Sequence, residues 1–97
     1  MNSTSGLTNL AVNEAGVVYK HGSRLDQAYI HNTGSSTLYM GLGVAAEGLA
    51  QQVAAGKAFP ISAGAAFNLR AGSFYDAITL ATAAGQTTTA NIGAIST

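Results

Sequence analysis

Ala28-Tyr29-Ile30-His31-Asn32-Thr33-Gly34-Ser35-Ser36-Thr37-Leu38-Tyr39-Met40-Gly41-Leu42 is the stretch that decides how this chain reads. Two short apolar-rich runs, Ala28 to His31 and Thr37 to Leu42, flank a cluster of turn formers from Asn32 to Ser36, the pattern of a β-hairpin. On the second run Leu38, Met40 and Leu42 alternate with Thr37, Tyr39 and Gly41, so one face is expected in a core. A second pair, Ala58 to Ile61 and Ala66 to Leu69, encloses Ser62-Ala63-Gly64-Ala65, where Gly64 supplies the positive φ that a tight turn needs. A third pair runs from Phe74 to Leu80 and from Thr87 to Ile95, joined through Ala83-Ala84-Gly85-Gln86.

Working outward, Gly16 to Lys20 is rich in β-branched and aromatic residues and forms another short strand, leading into the His21-Gly22-Ser23 turn. Pro60 donates no ladder hydrogen bond, which puts Phe59 to Ile61 at an edge, a strand start or a bulge. The Gly43 to Gly56 segment is open to two readings, a short helix ended by Gly56 or an extended loop; Ala45, Ala46, Glu47 and Leu49 favour the helix and Gly48 weakens it. Residues 1–12 are mostly small and polar and read as a flexible arm preceding a single β domain over residues 13–97. The fold expected is all-β: a small antiparallel β-sandwich or jelly-roll-like barrel of six to seven strands, with at most one short helix.

Composition narrows the function classes. Only 8% of the 97 residues are charged, against 47% hydrophobic, and the four cations, Lys20, Arg24, Lys57 and Arg70, are balanced by Glu14, Asp26, Glu47 and Asp76. The cations are scattered singly, which argues against nucleic acid as a partner. So few charges give little colloidal repulsion and favour association with other proteins. There is no Cys, hence neither a disulfide framework nor a thiolate metal site. No apolar run approaches the ~20 residues of a membrane span, and Met1 to Gly6 has no signal-peptide pattern.

Chemistry is hard to find. His21 and His31 are the only imidazoles, and with Glu14, Asp26 or Asp76 they match no metal-ligand spacing. Ser62 lacks the glycine that opens a nucleophile elbow, and Gly41-Leu42-Gly43 lacks the remainder of a phosphate-binding loop. No catalytic, cofactor or metal site is expected, and the chain reads as a non-enzyme. Tyr19, Tyr29, Tyr39 and Tyr75 could stack against sugars if several shared one exposed face; packing is the commoner role of aromatics on half-buried strands.

The succession Ile30-His31-Asn32-Thr33-Gly34-Ser35, Leu38-Tyr39-Met40-Gly41, Pro60-Ile61-Ser62-Ala63-Gly64 and Tyr75-Asp76-Ala77-Ile78 resembles small β-rich proteins of tailed-bacteriophage virions. Those proteins are head decoration (cement) proteins, head fibres and related tail-surface domains. The sequence departs from them in its long Gly43 to Lys57 connection and in Asp76. The resemblance implies a protein on the outer capsid surface, made in the host cytoplasm, that binds the major capsid protein and itself, as a trimer or other homo-oligomer. Its interface is expected to draw on Leu7, Leu10, Leu49, Val53 and Phe59. The alternatives are a tail or head-fibre domain that binds a host-surface glycan, and a head–tail joining or tail structural protein.

Overall fold

The structure is a computed structural model that describes residues 2–3, 7–20, 27–70 and 77–96. It contains strands β1 (Asn2–Ser3), β2 (Thr8–Asn13), β3 (Val17–Lys20), β4 (Gln27–Asn32), β5 (Leu38–Leu42), helix α1 (Ala46–Ala54), then β6 (Phe59–Ile61), β7 (Ala66–Arg70), β8 (Ala77–Ala81) and β9 (Thr87–Ser96). These form a β-sandwich. One sheet runs β2-β9-β4-β7, with β1 on the same edge of β9 as β2; the other runs β3-β8-β5-β6, and every pairing is antiparallel.

The pairings have a simple generator. β2 with β9, β3 with β8, β4 with β7 and β5 with β6 make one long folded ribbon whose tip is the α1 connection, and β9 to β4 and β8 to β5 close it as it rolls up. This is the eight-strand jelly-roll arrangement. It overturns the hairpin expected over Ala28 to Leu42, and in the two further strand pairs the partners likewise do not bond to each other. β4 and β5 lie in opposite sheets, as do β6 and β7, and β8 and β9, so each intervening loop arches over the core. The alternation of apolar residues is satisfied equally by a hairpin and by an arch, because both put one face of each strand inward. What selects the arch is that Ile30 and Leu38 are both fully buried and meet the core from its two sides.

Residues 8–13 also depart from the expected arm: β2 pairs along its whole length with β9 and sends Val12 into the core and Leu10 against it. Among the described residues there are therefore nine strands, where six to seven were expected. Short Asn- and Thr-containing strands show little hydrophobic alternation, which is why this one read as loop. The start of the expected arm, Met1 and Thr4 to Gly6, lies outside the described residues.

Ten buried residues build the core: Val12, Ala28 and Ile30, Leu38 and Met40, Ile61, Ile78 and Leu80, Ala90 and Ile92. The Gly43 to Gly56 segment resolves as a helix. Gly56 (φ +73°) ends it, its N–H donating to the Val53 carbonyl and that of Lys57 to the Gln52 carbonyl, a left-handed C-terminal cap. α1 lies on the outer face of the β3-β8-β5-β6 sheet, where Leu49, Thr79 and Ala81 are buried outside the main core. Gly41 makes this possible, since a Cβ there would stand 2.6 Å from Val44 Cγ2 and 3.2 Å from Leu49 Cδ1.

Asn32 ties the arches together. Its side chain is fully buried, and its Nδ2 donates to the carbonyls of Ser36 (2.8 Å) and Ile61 (2.9 Å) while Oδ1 accepts from the Gly34 N–H (3.2 Å) and Thr88 Oγ1 (2.7 Å). Those four bonds use both donors of the amide and both lone pairs of its oxygen. The Asn32 backbone adds two more, its N–H to Ala65 O and its carbonyl from the Gly64 N–H. Gly64 has the expected positive φ, +80°.

Candidate functional surfaces

Three surfaces stand out once the strands are in register. The first is apolar and divided. Phe59, on edge strand β6, is 46% exposed and leans on Phe67 of edge strand β7, ring centroids 4.9 Å apart, so the pair closes the gap between the two sheets along that side. Leu7, 53% exposed, precedes β2 on the opposite edge, and Val18 on edge strand β3 is also exposed there.

The residues expected to form one interface are therefore spread over three places. Leu7 and Leu10 belong to the β2 edge, Phe59 to the β6 edge, and Leu49 and Val53 to α1. Leu49 is a correction: it has no exposed surface, being spent between the helix and Gly41. Once the segment forms a helix on a sheet, its largest apolar residue packs inward and none of it remains for a partner. Val53 and Leu10 are partly buried.

The second surface is the outer face of the β2-β9-β4-β7 sheet. The register places Asn9, Asn91 and His31 in one row across it, with Tyr29 between Gly93 and Asn68 in the next. Asn9 Nδ2 donates to Asn91 Oδ1 at 2.8 Å, Thr33 and Thr89 hydroxyls are 2.8 Å apart, and the Tyr29 and His31 rings meet edge to face at 6.3 Å. Among the described residues Arg70 is the only Lys, Arg, Asp or Glu on this face.

The third lies at the end of the sandwich where the arches turn. Two depressions flank Ser35, one of 380 Å³ bordered by Asn13, Gly34 and Thr87 and one of 300 Å³ bordered by Tyr39, Ala83 and Gln86. Side chains knit this end: Ser36 Oγ donates to Gln86 Oε1, Thr82 Oγ1 to the Gln86 carbonyl, and the Gly85 N–H to Glu14 Oε1.

Among the described residues no group of three or more His, Asp or Glu is gathered as a metal site would need. His31 sits on the sheet face described above, while His21, Arg24, Asp26, Tyr75 and Asp76 lie outside the described residues. Tyr29 and Tyr39 occupy the outer faces of different sheets, and Tyr19 faces inward at the β3 edge against the core, so these three tyrosines share no face. No described helix is long and apolar enough to cross a membrane.

Comparison with known proteins adds the fold alone. No family model matches the sequence, and no curated protein matches it either. A solved structure, the crystal structure of PirA, is similar over 97% of this chain and 97% of that chain with a TM-score of 0.54 and 15% sequence identity. At that identity the likeness says that the two chains share a strand arrangement, and function has to be argued from this chain's own surfaces.

Proposed function

We propose that this protein is a non-enzymatic virion component, a bacteriophage capsid decoration protein that binds the outside of the head shell and bridges neighbouring capsid subunits. The observation that carries the reading is the pair of apolar spots on opposite edges of a charge-poor sandwich, Leu7 on one side and Phe59 on the other. A cement must touch two neighbours at once, and two opposed contacts are the least that does so. The partners are the major capsid protein and further copies of this chain, as a trimer or other homo-oligomer at lattice symmetry points, on the outer capsid surface after synthesis in the host cytoplasm.

The energetics suit many weak contacts. Burying the exposed part of Phe59 removes roughly 90 Å² from water, worth about 2 kcal/mol, and Leu7, exposed over a similar area, adds about 2 kcal/mol more. Neither sum exceeds the cost of association for a single copy. Repetition over a lattice, with each copy held at both edges, multiplies them into stable attachment. The free energy of binding then adds to the stability of the assembled shell by mass action.

The test is to compare capsids carrying wild-type protein with capsids offered a Leu7→Ser/Phe59→Ser double variant. The variant is expected to leave shells undecorated and sensitive to heat and osmotic shock. Equal survival of decorated and stripped shells would refute the cementing role. A glycan-binding fibre domain is a second reading, favoured by the outer face of the β2-β9-β4-β7 sheet, on which Arg70 is the one described charge.

A further inference from the structure

We infer that the outer face of the β2-β9-β4-β7 sheet is a binding site for a neutral oligosaccharide, centred on Tyr29 and the Asn9–Asn91–His31 row. This goes beyond the decoration reading and stands independently of it, since a single folded copy carries the whole face.

The chemistry of the face selects the ligand. Protein-docking surfaces have apolar centres enriched in aromatic, Met and Arg side chains. In the rows from Ala11 and Thr89 through Asn9–Asn91–His31–Ala66 to Gly93–Tyr29–Asn68, this face offers no aliphatic side chain larger than alanine. It presents instead amides and hydroxyls, from Asn9, Asn91, Asn68 and Thr89, groups that donate and accept at once. A sugar hydroxyl is likewise both donor and acceptor, so each can pair with such a side chain in either sense. With Arg70 the lone described charge at the margin, the face has no cluster of cations for a phosphate, a sulfate or a nucleic-acid backbone.

The geometry is prepared for such a ligand. Gly93, the β9 neighbour of half-buried Tyr29, carries no side chain, and Asn68 stands on the other side. An aromatic ring flanked by a glycine and an amide offers an apolar plane for sugar C–H groups beside a hydrogen-bonding partner for its hydroxyls. The Asn9–Asn91 and Thr33–Thr89 bonds and the Tyr29–His31 ring contact hold these side chains in place before any ligand arrives. Ordering that is already present is not lost on binding.

The test uses the full chain on an array of uncharged oligosaccharides built from glucose, galactose, mannose and N-acetylglucosamine, with sialylated and sulfated counterparts. NMR titration with the best binder then maps the site. The expected result is binding of one or more neutral glycans, with shifts at Tyr29, His31 and Asn91 and a loss of about tenfold or more in affinity for Tyr29→Ala. Tyr29→Phe keeps the ring, holds the fold and retains most of the affinity. The inference is overturned if no neutral glycan binds, if only charged ones do, if the shifts map to the depressions beside Ser35, or if a folded Tyr29→Ala binds as well as wild type. Footprinting that finds this face covered by a capsid subunit in intact particles would also overturn it. Failure of the decoration reading leaves all of these outcomes unchanged, because none of the others needs a particle.

Discussion

Replacing Asn32 by alanine should unsettle this fold more than any other single loss of a polar side chain among the described residues. The variant removes an amide that makes four hydrogen bonds, so four groups lose their partner. The Gly34 N–H and the Ser36 carbonyl are in part-buried surroundings where water can replace the amide, at a cost of about 0.5 kcal/mol each. The Ile61 carbonyl and the Thr88 hydroxyl are bonded in buried surroundings, and each buried orphan costs about 1–3 kcal/mol. The sum is about 3–7 kcal/mol, a large part of the ~5–15 kcal/mol that holds a small domain together. For a chain of this size that lowers Tm by roughly 15–35 °C, readable by circular dichroism. Asn32→Asp is the sharper probe. Its carboxylate would aim an oxygen, in place of the NH₂ group, at two carbonyls, and should cost more than alanine at neutral pH. Burial and the facing carbonyls raise the folded-state pKa of that carboxyl, so the folded state binds the extra proton and the N32D protein regains stability as pH falls through that pKa. A Tm drop below about 5 °C for Asn32→Ala, or an N32D protein no more stable in mild acid relative to wild type, would refute the claim that this amide holds the arches.

Other substitutions test separate parts of the structure. Leu49→Ala should cost about 2–5 kcal/mol in urea unfolding, because the helix loses its one buried anchor; a surface-like effect would mean that α1 is not packed as described. Gly41→Val should cost about 1–3 kcal/mol and raise hydrogen exchange in residues 46–54, since the new side chain occupies the space of Val44 and Leu49. Gly34→Ala should be more severe, because its Cβ would overlap Thr88 Oγ1 and lie 2.7 Å from the Thr89 amide nitrogen; native-like stability would show that the arch can move aside. Phe59→Ser should change stability by only about 1–2 kcal/mol, given its exposure, while lowering capsid binding in a sedimentation assay.

The strands facing a core announced themselves, and those whose partners decide their role did not. Leu38, Met40 and Leu42 alternate clearly, and β5 was legible on that pattern. Asn32 read as a turn residue, but it ends β4, paired with Ala90, and the turn begins after it. Its fully buried amide was invisible because burial depends on Ile61 and Thr88, 29 and 56 positions away. Turn chemistry at Gly64 and Gly56 was readable because each needs only a local positive φ. Whether a loop turns back within a sheet or arches to the other depends on long-range pairing, for which the residues in the loop carry little signal. The same gap explains the candidate surfaces: exposure of Phe59 and burial of Leu49 follow from where α1 and β7 land. The row of Asn9, Asn91 and His31 exists only because three strands far apart in the chain adopt one register.

The position of β9 has a consequence for how the molecule is made. It lies between β2 and β4 and is the last strand in the order of the chain, so that sheet has no centre until translation has passed Ser96. A nascent chain on the ribosome holds β2, β4 and β7 with their ladder edges open and their apolar faces wet. Acquisition of structure should wait for β9 and be slow, in the millisecond-to-second range of topologies dominated by non-local pairs. During that interval the exposed strands are vulnerable to clumping, and a ribosome stalled before Thr87 would leave a product with no route to the native state.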